Sequence, residues 1–100
     1  MQVVISPSDK PTKKYRARID GTKSVYFGQA GASDFTIHKD PERKQRYLSR
    51  HRGMNEDWTN PSTAGFYATN LLWNKPTMEA SIADTNRRFP NLHIIYSKSI

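Results

Sequence analysis

The chain contains no cysteine. Disulfides, thiolate zinc sites and a cysteine nucleophile are thereby excluded, and burial and hydrogen bonding alone must hold the fold. No apolar run approaches the roughly 18–20 residues that span a bilayer, and Met1-Gln2-Val3-Val4-Ile5 lacks the basic and long apolar regions of a signal peptide. An intracellular protein is therefore expected. The three histidines, His38, His51 and His93, form no H-x-x-x-H pair or other compact ligand spacing, so neither a metal site nor a cofactor is expected. There is no internal repeat and no low-complexity tract. Acidic residues are scarce as well, nine against sixteen Lys and Arg, for a formal charge of +7.

That imbalance is unevenly placed. Residues 10–53 hold twelve cations against Asp20, Asp34, Asp40 and Glu42, a net of +8, whereas residues 54–100 balance at four against four. A segregated positive charge favours polyanionic partners and says nothing about the fold. One hundred residues with 35% hydrophobic content and a mean hydropathy of −0.84 allow a single small soluble domain, residues 1–100, with a thin core. A chain this short buries about 60–65% of its unfolded surface, so its stability is marginal unless it oligomerises.

Residues 6–13 carry two prolines and no large apolar side chain, so after a short strand at Val3–Ile5 the segment 1–13 reads as an extended arm. Tyr15, Ala17 and Ile19 then alternate with Lys14, Arg16 and Arg18 before Asp20-Gly21 and a second apolar run, a hairpin signal. A three-residue loop, Ile19-Asp20-Gly21, sets Tyr15 and Ala17 beside Val25 and Phe27. It also puts Gly21 at a left-handed position and leaves Lys14, Arg16, Arg18 and Tyr26 on the outer face. Gly28 and Gly31 predict a positive-φ connection too degenerate for a phosphate loop.

Asp40-Pro41-Glu42 is a helix start, with a capping carboxylate, a proline pre-set for the first helical position and an acid in the first turn. That helix is expected over about 41–52, with Arg50, His51 and Arg52 at its negative end and Gly53 as C-terminal cap. A second helix is expected over 63–74, capped by Asn60 or Ser62. Ala64, Tyr67, Ala68, Leu71 and Leu72 share one of its faces, Phe66 and Trp73 lie opposite, and such a helix requires burial on both sides. Thr77 caps a third helix at about 78–89, in which Met78, Ile82, Thr85 and Phe89 share a face. Leu92–Tyr96 reads as a closing strand able to pair with the hairpin. The expected fold class is α+β: a small antiparallel sheet, made of the hairpin plus the C-terminal strand, packed against three helices.

Two rigid supports carry the cations, namely the outer hairpin face and a helix on which Arg43, Arg46, Tyr47 and Arg50 lie within about 100° of arc. Together they can track a phosphate backbone, with Tyr26, Tyr47 or Trp58 adding stacking on a single strand. The expected nucleic-acid ligands are Lys13, Lys14, Arg16, Arg18, Lys39, Arg43, Lys44, Arg46, Arg50 and Arg52. The bland alternative is a solvated face made basic for solubility. A nuclease would have to combine His38 with Glu56 or Asp57 and a divalent ion, and nothing in their spacing selects that geometry, so no catalytic residue is expected. Trp58, Phe66, Tyr67, Trp73 and Phe89 are most simply core. If a small sheet leaves one side of the second helix bare, Phe66 and Trp73 instead meet another subunit in a homo-oligomer.

The run Asp34-Phe35-Thr36-Ile37-His38-Lys39-Asp40-Pro41-Glu42-Arg43-Lys44-Gln45-Arg46-Tyr47-Leu48-Ser49-Arg50-His51, followed by Asn55-Glu56-Asp57-Trp58, Thr63-Ala64-Gly65-Phe66 and Leu71-Leu72-Trp73-Asn74-Lys75-Pro76, resembles a family of small basic proteins of large DNA viruses of protists and algae, in a Marseillevirus-like branch. The resemblance covers about residues 13–89. It carries over no catalytic residue and implies association with a virion and its genome, hence a location in the virion and in the host cell interior during assembly. The sequence thus yields two expectations. The first is non-enzymatic, sequence-tolerant binding of nucleic acid, DNA before RNA. The second is a structural virion protein that self-associates through Phe66 and Trp73 and meets acidic capsid or membrane components.

Overall fold

A computed structural model describes residues 1–54 and 58–98. Four strands, β1 (Gln2–Pro7), β2 (Lys13–Ile19), β3 (Lys23–Gln29) and β4 (His93–Tyr96), form one sheet in the order β3-β2-β1-β4. The helical layer comprises α1 (Phe35–His38), α2 (Pro41–Arg52), α3 (Ala64–Tyr67), a π-helical turn over Ala68–Leu72, and α4 (Met78–Arg88). The class is α+β, as the sequence patterns predict.

The hairpin pairs Tyr15 with Phe27 and Ala17 with Val25 across a three-residue loop, which is Asp20-Gly21-Thr22, one residue later than expected. Gly21 is left-handed at φ 72°, and Asp20 shares that conformation at φ 50°. A left-handed non-glycine residue needs compensation. Here the Asp20 N–H donates to the Gln2 carbonyl and the Asp20 carboxylate accepts from the Gln2 N–H, both at 2.8 Å, which ties the turn to the start of β1.

The expected arm over 1–13 is corrected. Residues 2–7 form an inner strand, antiparallel to β2 and parallel to β4, and only 8–12 remain outside it. The sheet is accordingly mixed, and the C-terminal strand pairs with β1 instead of the hairpin. Val3 and Ile5 are fully buried because they share the core face of the sheet with their partners Ile19 and Ala17, whereas Val4 on the other face is half-buried. The edge at β4 is sealed by Asn86 of α4, whose side-chain amide donates to the Ile94 carbonyl (3.0 Å) and accepts from the Ile94 N–H (2.9 Å). Pairing the open edge removes a template for unwanted strand addition.

The second helix departs furthest from expectation. Thr63, not Asn60 or Ser62, caps it by accepting from the Phe66 N–H at 3.2 Å. The buried Asn70 side chain donates to the Phe66 carbonyl at 2.9 Å, so a side chain takes the acceptor that an α-helix reserves for the backbone. The next turn widens to π geometry, closing with the Trp73 N–H on the Ala68 carbonyl at 3.2 Å. Thr69, Asn70, Leu71 and Leu72 are all buried there. Burial on both sides is achieved within one chain: Phe27 of the sheet approaches Tyr67 at 5.5 Å, and Phe89 after α4 meets Phe66 at 5.3 Å.

Thr77 caps α4 as expected, accepting from the Ala80 N–H at 3.1 Å. Its inward residues Ile82 and Thr85 are buried, with Met78 and Phe89 packed against the core. Asp84 joins this helix to the preceding loop by accepting from the Asn74 amide at 2.9 Å and from Arg88 at 2.8 Å, with Arg87 on its other oxygen. The Asn74 amide first and Arg88 next hold the Asp84 carboxyl down at about 2. A depressed carboxylate contributes stability that is complete above its unfolded value near 4 and is lost as pH falls through its folded value. Urea midpoints of wild type should therefore drop between pH 4 and pH 2 more steeply than those of Asp84→Asn. Parallel curves would remove this role.

Candidate nucleic-acid interface

The helix α2 forms where Asp40 and Pro41 place it. Asp40 accepts from the Glu42 N–H at 3.0 Å, Pro41 opens the first turn, and Gly53 closes the last with an ordinary right-handed backbone. None of its residues is fully buried. Lys44, Tyr47, Leu48 and His51 are half-buried on one side, and the remaining residues are exposed. Tyr47 lies flat on Trp73, with ring centres 4.1 Å apart and planes 4° apart, and His51 stacks on Tyr47 at 4.0 Å. His38 approaches Trp73 at 5.3 Å, extending the ladder. This stack holds α2 on the body of the protein.

Beside it runs a cleft of about 510 Å³, with Arg43, Tyr47, Arg50 and His51 on one wall, Lys14 and Asp34 on the other, and Leu72 and Trp73 in its floor. A second depression of about 260 Å³ is lined by Arg43, Arg46, Tyr47, Arg50 and Trp73. The geometry thus brings Arg43, Arg46 and Arg50 together. All three are exposed and none has a carboxylate partner among the described residues.

The other expected ligands divide. Lys14, expected on the outer sheet face, lines the cleft and donates at 2.5 Å to Asp34, whose side chain is 3% exposed. Asp34 also caps α1, accepting from the Thr36 N–H at 2.9 Å and from the Thr36 hydroxyl. Lys14 is thus a counter-ion and adds no net charge to the cleft. Lys44 donates to the Asn74 carbonyl at 2.6 Å and sits over the Phe35 ring. Burial, with Lys75 adding repulsion, pulls the Lys44 ammonium below its ordinary value. It clasps α2 to the loop after the π turn and is not a free phosphate ligand. Lys39, left-handed at φ 56°, donates to the Thr36 carbonyl at the end of α1. Arg52 lies over the Trp58 ring.

Arg16 bonds the Ser24 hydroxyl at 3.0 Å and, with the exposed Arg18, projects from the sheet face opposite Ala17 and Ile19. Lys13 is exposed at the start of β2. Of the hairpin cations, Lys14 thus shares the cleft with Arg43 and Arg50, while Arg16 and Arg18 lie on the sheet face away from the core. The stacking residues are also engaged within the chain: Tyr26 has Lys10 over its ring at 4.2 Å and donates to Asp9, and Tyr47 and Trp58 are covered as described. Phe66, expected at a subunit contact, has no exposed surface, and Trp73 is half-buried beneath Tyr47, so neither offers a free apolar face.

Of the residues a nuclease would combine, His38 alone lies among the described residues. His38 accepts from the Asp40 N–H through Nδ1 at 2.9 Å while its Nε2 is buried, and Glu56 and Asp57 lie outside the described residues. Among the described residues no group of three His, Asp or Glu side chains is placed to hold a metal ion, and no helix is long and apolar enough to cross a membrane.

Breaking the Lys14–Asp34 pair should be costly. Lys14→Met leaves a buried carboxylate uncompensated, and the expected destabilisation is about 2–4 kcal/mol by urea unfolding. A loss within about 0.5 kcal/mol would mean that solvent reaches Asp34.

Residues 3–51 are similar to a family described as a family of unknown function, DUF5754. The matched segment runs from β1 through almost all of α2 and includes Arg43, Arg46 and Arg50. No curated protein and no solved structure matches the chain.

Proposed function

We propose that this protein is a non-enzymatic, sequence-tolerant nucleic-acid-binding protein. The observation that carries the reading is the trio Arg43, Arg46 and Arg50, exposed on one flank of α2 with no carboxylate partner among the described residues. Guanidinium groups that are already paired gain little from a phosphate, whereas unpaired ones neutralise it and release condensed counterions. A net charge of +7 supplies the long-range attraction that steers such an encounter. The resemblance to small basic viral proteins adds a setting, in which the protein accompanies a genome in the virion.

Fluorescence anisotropy with labelled random DNA at about 50 and 200 mM salt tests this reading. Contacts to several phosphates predict an affinity loss of orders of magnitude over that range, similar for all sequences. No binding at 50 mM would assign the basic surface to solubility or to acidic proteins. A flat salt dependence would also remove it.

A further inference from the structure

We infer that α2 docks lengthwise in the major groove of B-form DNA, an inference that rests on the nucleic-acid reading above. Successive residues of a helix turn by about 100°, so Lys44, Tyr47, Leu48 and His51 form the packed side and the rest an exposed arc. Arg43, Arg46 and Arg50 occupy one flank of that arc. Arg52, beside the neutral Gln45, occupies the other, and Ser49 and Glu42 lie between them. Three arginines therefore stand on one flank of a polar ridge and a fourth, Arg52, on the other. That arrangement complements two phosphate rows with a groove between them, whereas a helix lying across a single strand needs cations on one flank only.

The dimensions agree. Twelve residues make a helix about 18 Å long and 10–12 Å across its side chains, and the major groove is about 12 Å wide. The helix stands proud of the body, with no residue fully buried, so most of its circumference is available. Glu42, the one acid of the arc, is confined to the first turn. Arg52 is held by the Trp58 ring at 5.8 Å, a contact that leaves its N–H edges for phosphate.

The aromatic rings decide against a single strand. Proteins that hold single strands offer ring faces on which bases stack. Here Trp73 lies between Tyr47 and His38, Tyr47 lies between Trp73 and His51, and Tyr26 is capped by Lys10. The rings near the cations are spent on positioning α2 and the hairpin. The deep, narrow major groove of A-form RNA excludes a helix of this width, so the same argument separates DNA from double-stranded RNA.

The test compares duplex DNA, double-stranded RNA and single-stranded DNA of equal length by anisotropy at about 50 mM salt. Duplex DNA is expected to bind at least tenfold more tightly than either competitor. At saturating protein, guanine N7, which faces the major groove, should be protected from dimethyl sulfate. Equal affinity for the two duplexes, tighter binding of the single strand, or unprotected N7 overturns groove docking and leaves nucleic-acid binding standing. Absence of binding to all three removes the functional reading itself.

Discussion

Replacing Arg43, Arg46 and Arg50 together by glutamine should flatten the salt dependence of DNA affinity by about 2–3 units of logarithmic slope, since each phosphate contact contributes about 0.9. Between 50 and 200 mM salt the wild type should then lose about 40-fold more affinity than the variant. The loss should be uniform across sequences, because contacts to phosphate carry no base information. Glutamine keeps helix propensity close to that of arginine, and the side of α2 that holds it to the body, Lys44, Tyr47, Leu48 and His51, is untouched. An unchanged thermal midpoint is the internal control. Full affinity in the variant would move the contact to Arg16 and Arg18 on the outer sheet face.

The largest effect on stability is expected at Phe66. Its side chain has no exposed surface and meets Tyr67 and Phe89 edge to face at 5.0 and 5.3 Å. Phe66→Ala removes that packing and leaves a cavity, at a cost of about 3–5 kcal/mol. A domain of this size has about 5–15 kcal/mol in total, so the variant is close to unfolding at 37 °C. Phe66→Leu, which conserves more volume, should cost about 1 kcal/mol and keep the fold measurable. Urea unfolding of both variants gives the comparison. The same residue separates core from interface: sedimentation of wild type and Phe66→Leu should be identical. A concentration-dependent dimer lost in the variant would restore Phe66 to a subunit contact.

The local features were legible because their causes are local. Asp40-Pro41 states a helix start through one carboxylate and one ring, and Thr77 caps α4 for the same kind of reason. Which hairpin residues face the core followed from parity, since one shifted residue would have exposed Ala17 and Ile19 and buried Arg16 and Arg18. Gly21, Gly28 and Gly31 at positive φ required nothing beyond their own missing Cβ. The loop itself begins one residue later than expected because Asp20 takes a left-handed conformation that the distant Gln2 compensates.

The features that depart from the sequence pattern depend on partners far along the chain. Two prolines made 6–13 resemble an arm, yet β1 is an inner strand because β4, some ninety residues away, supplies its second neighbour. The π turn could not be read from apolar spacing, since it arises where the buried Asn70 competes for the Phe66 carbonyl. Phe66 and Trp73 looked unsatisfied on an isolated helix, and Phe89 and Tyr47 cover them only after folding.

For the candidate site the division is similar. Composition and order along the chain determined that the charge is positive, that it lies in the first half, and that one helix carries a row of arginines. Only the tertiary structure decided which cations are available. Lys14, Lys39 and Lys44 were sequence candidates equal to Arg43, Arg46 and Arg50, and they differ by what folding set within about 3 Å of each ammonium: Asp34 for one and backbone carbonyls for the other two. Net charge is a sum over residues and is fixed by the chain. The availability of a charge depends on its neighbours in space, and the chain acquires those neighbours only on folding.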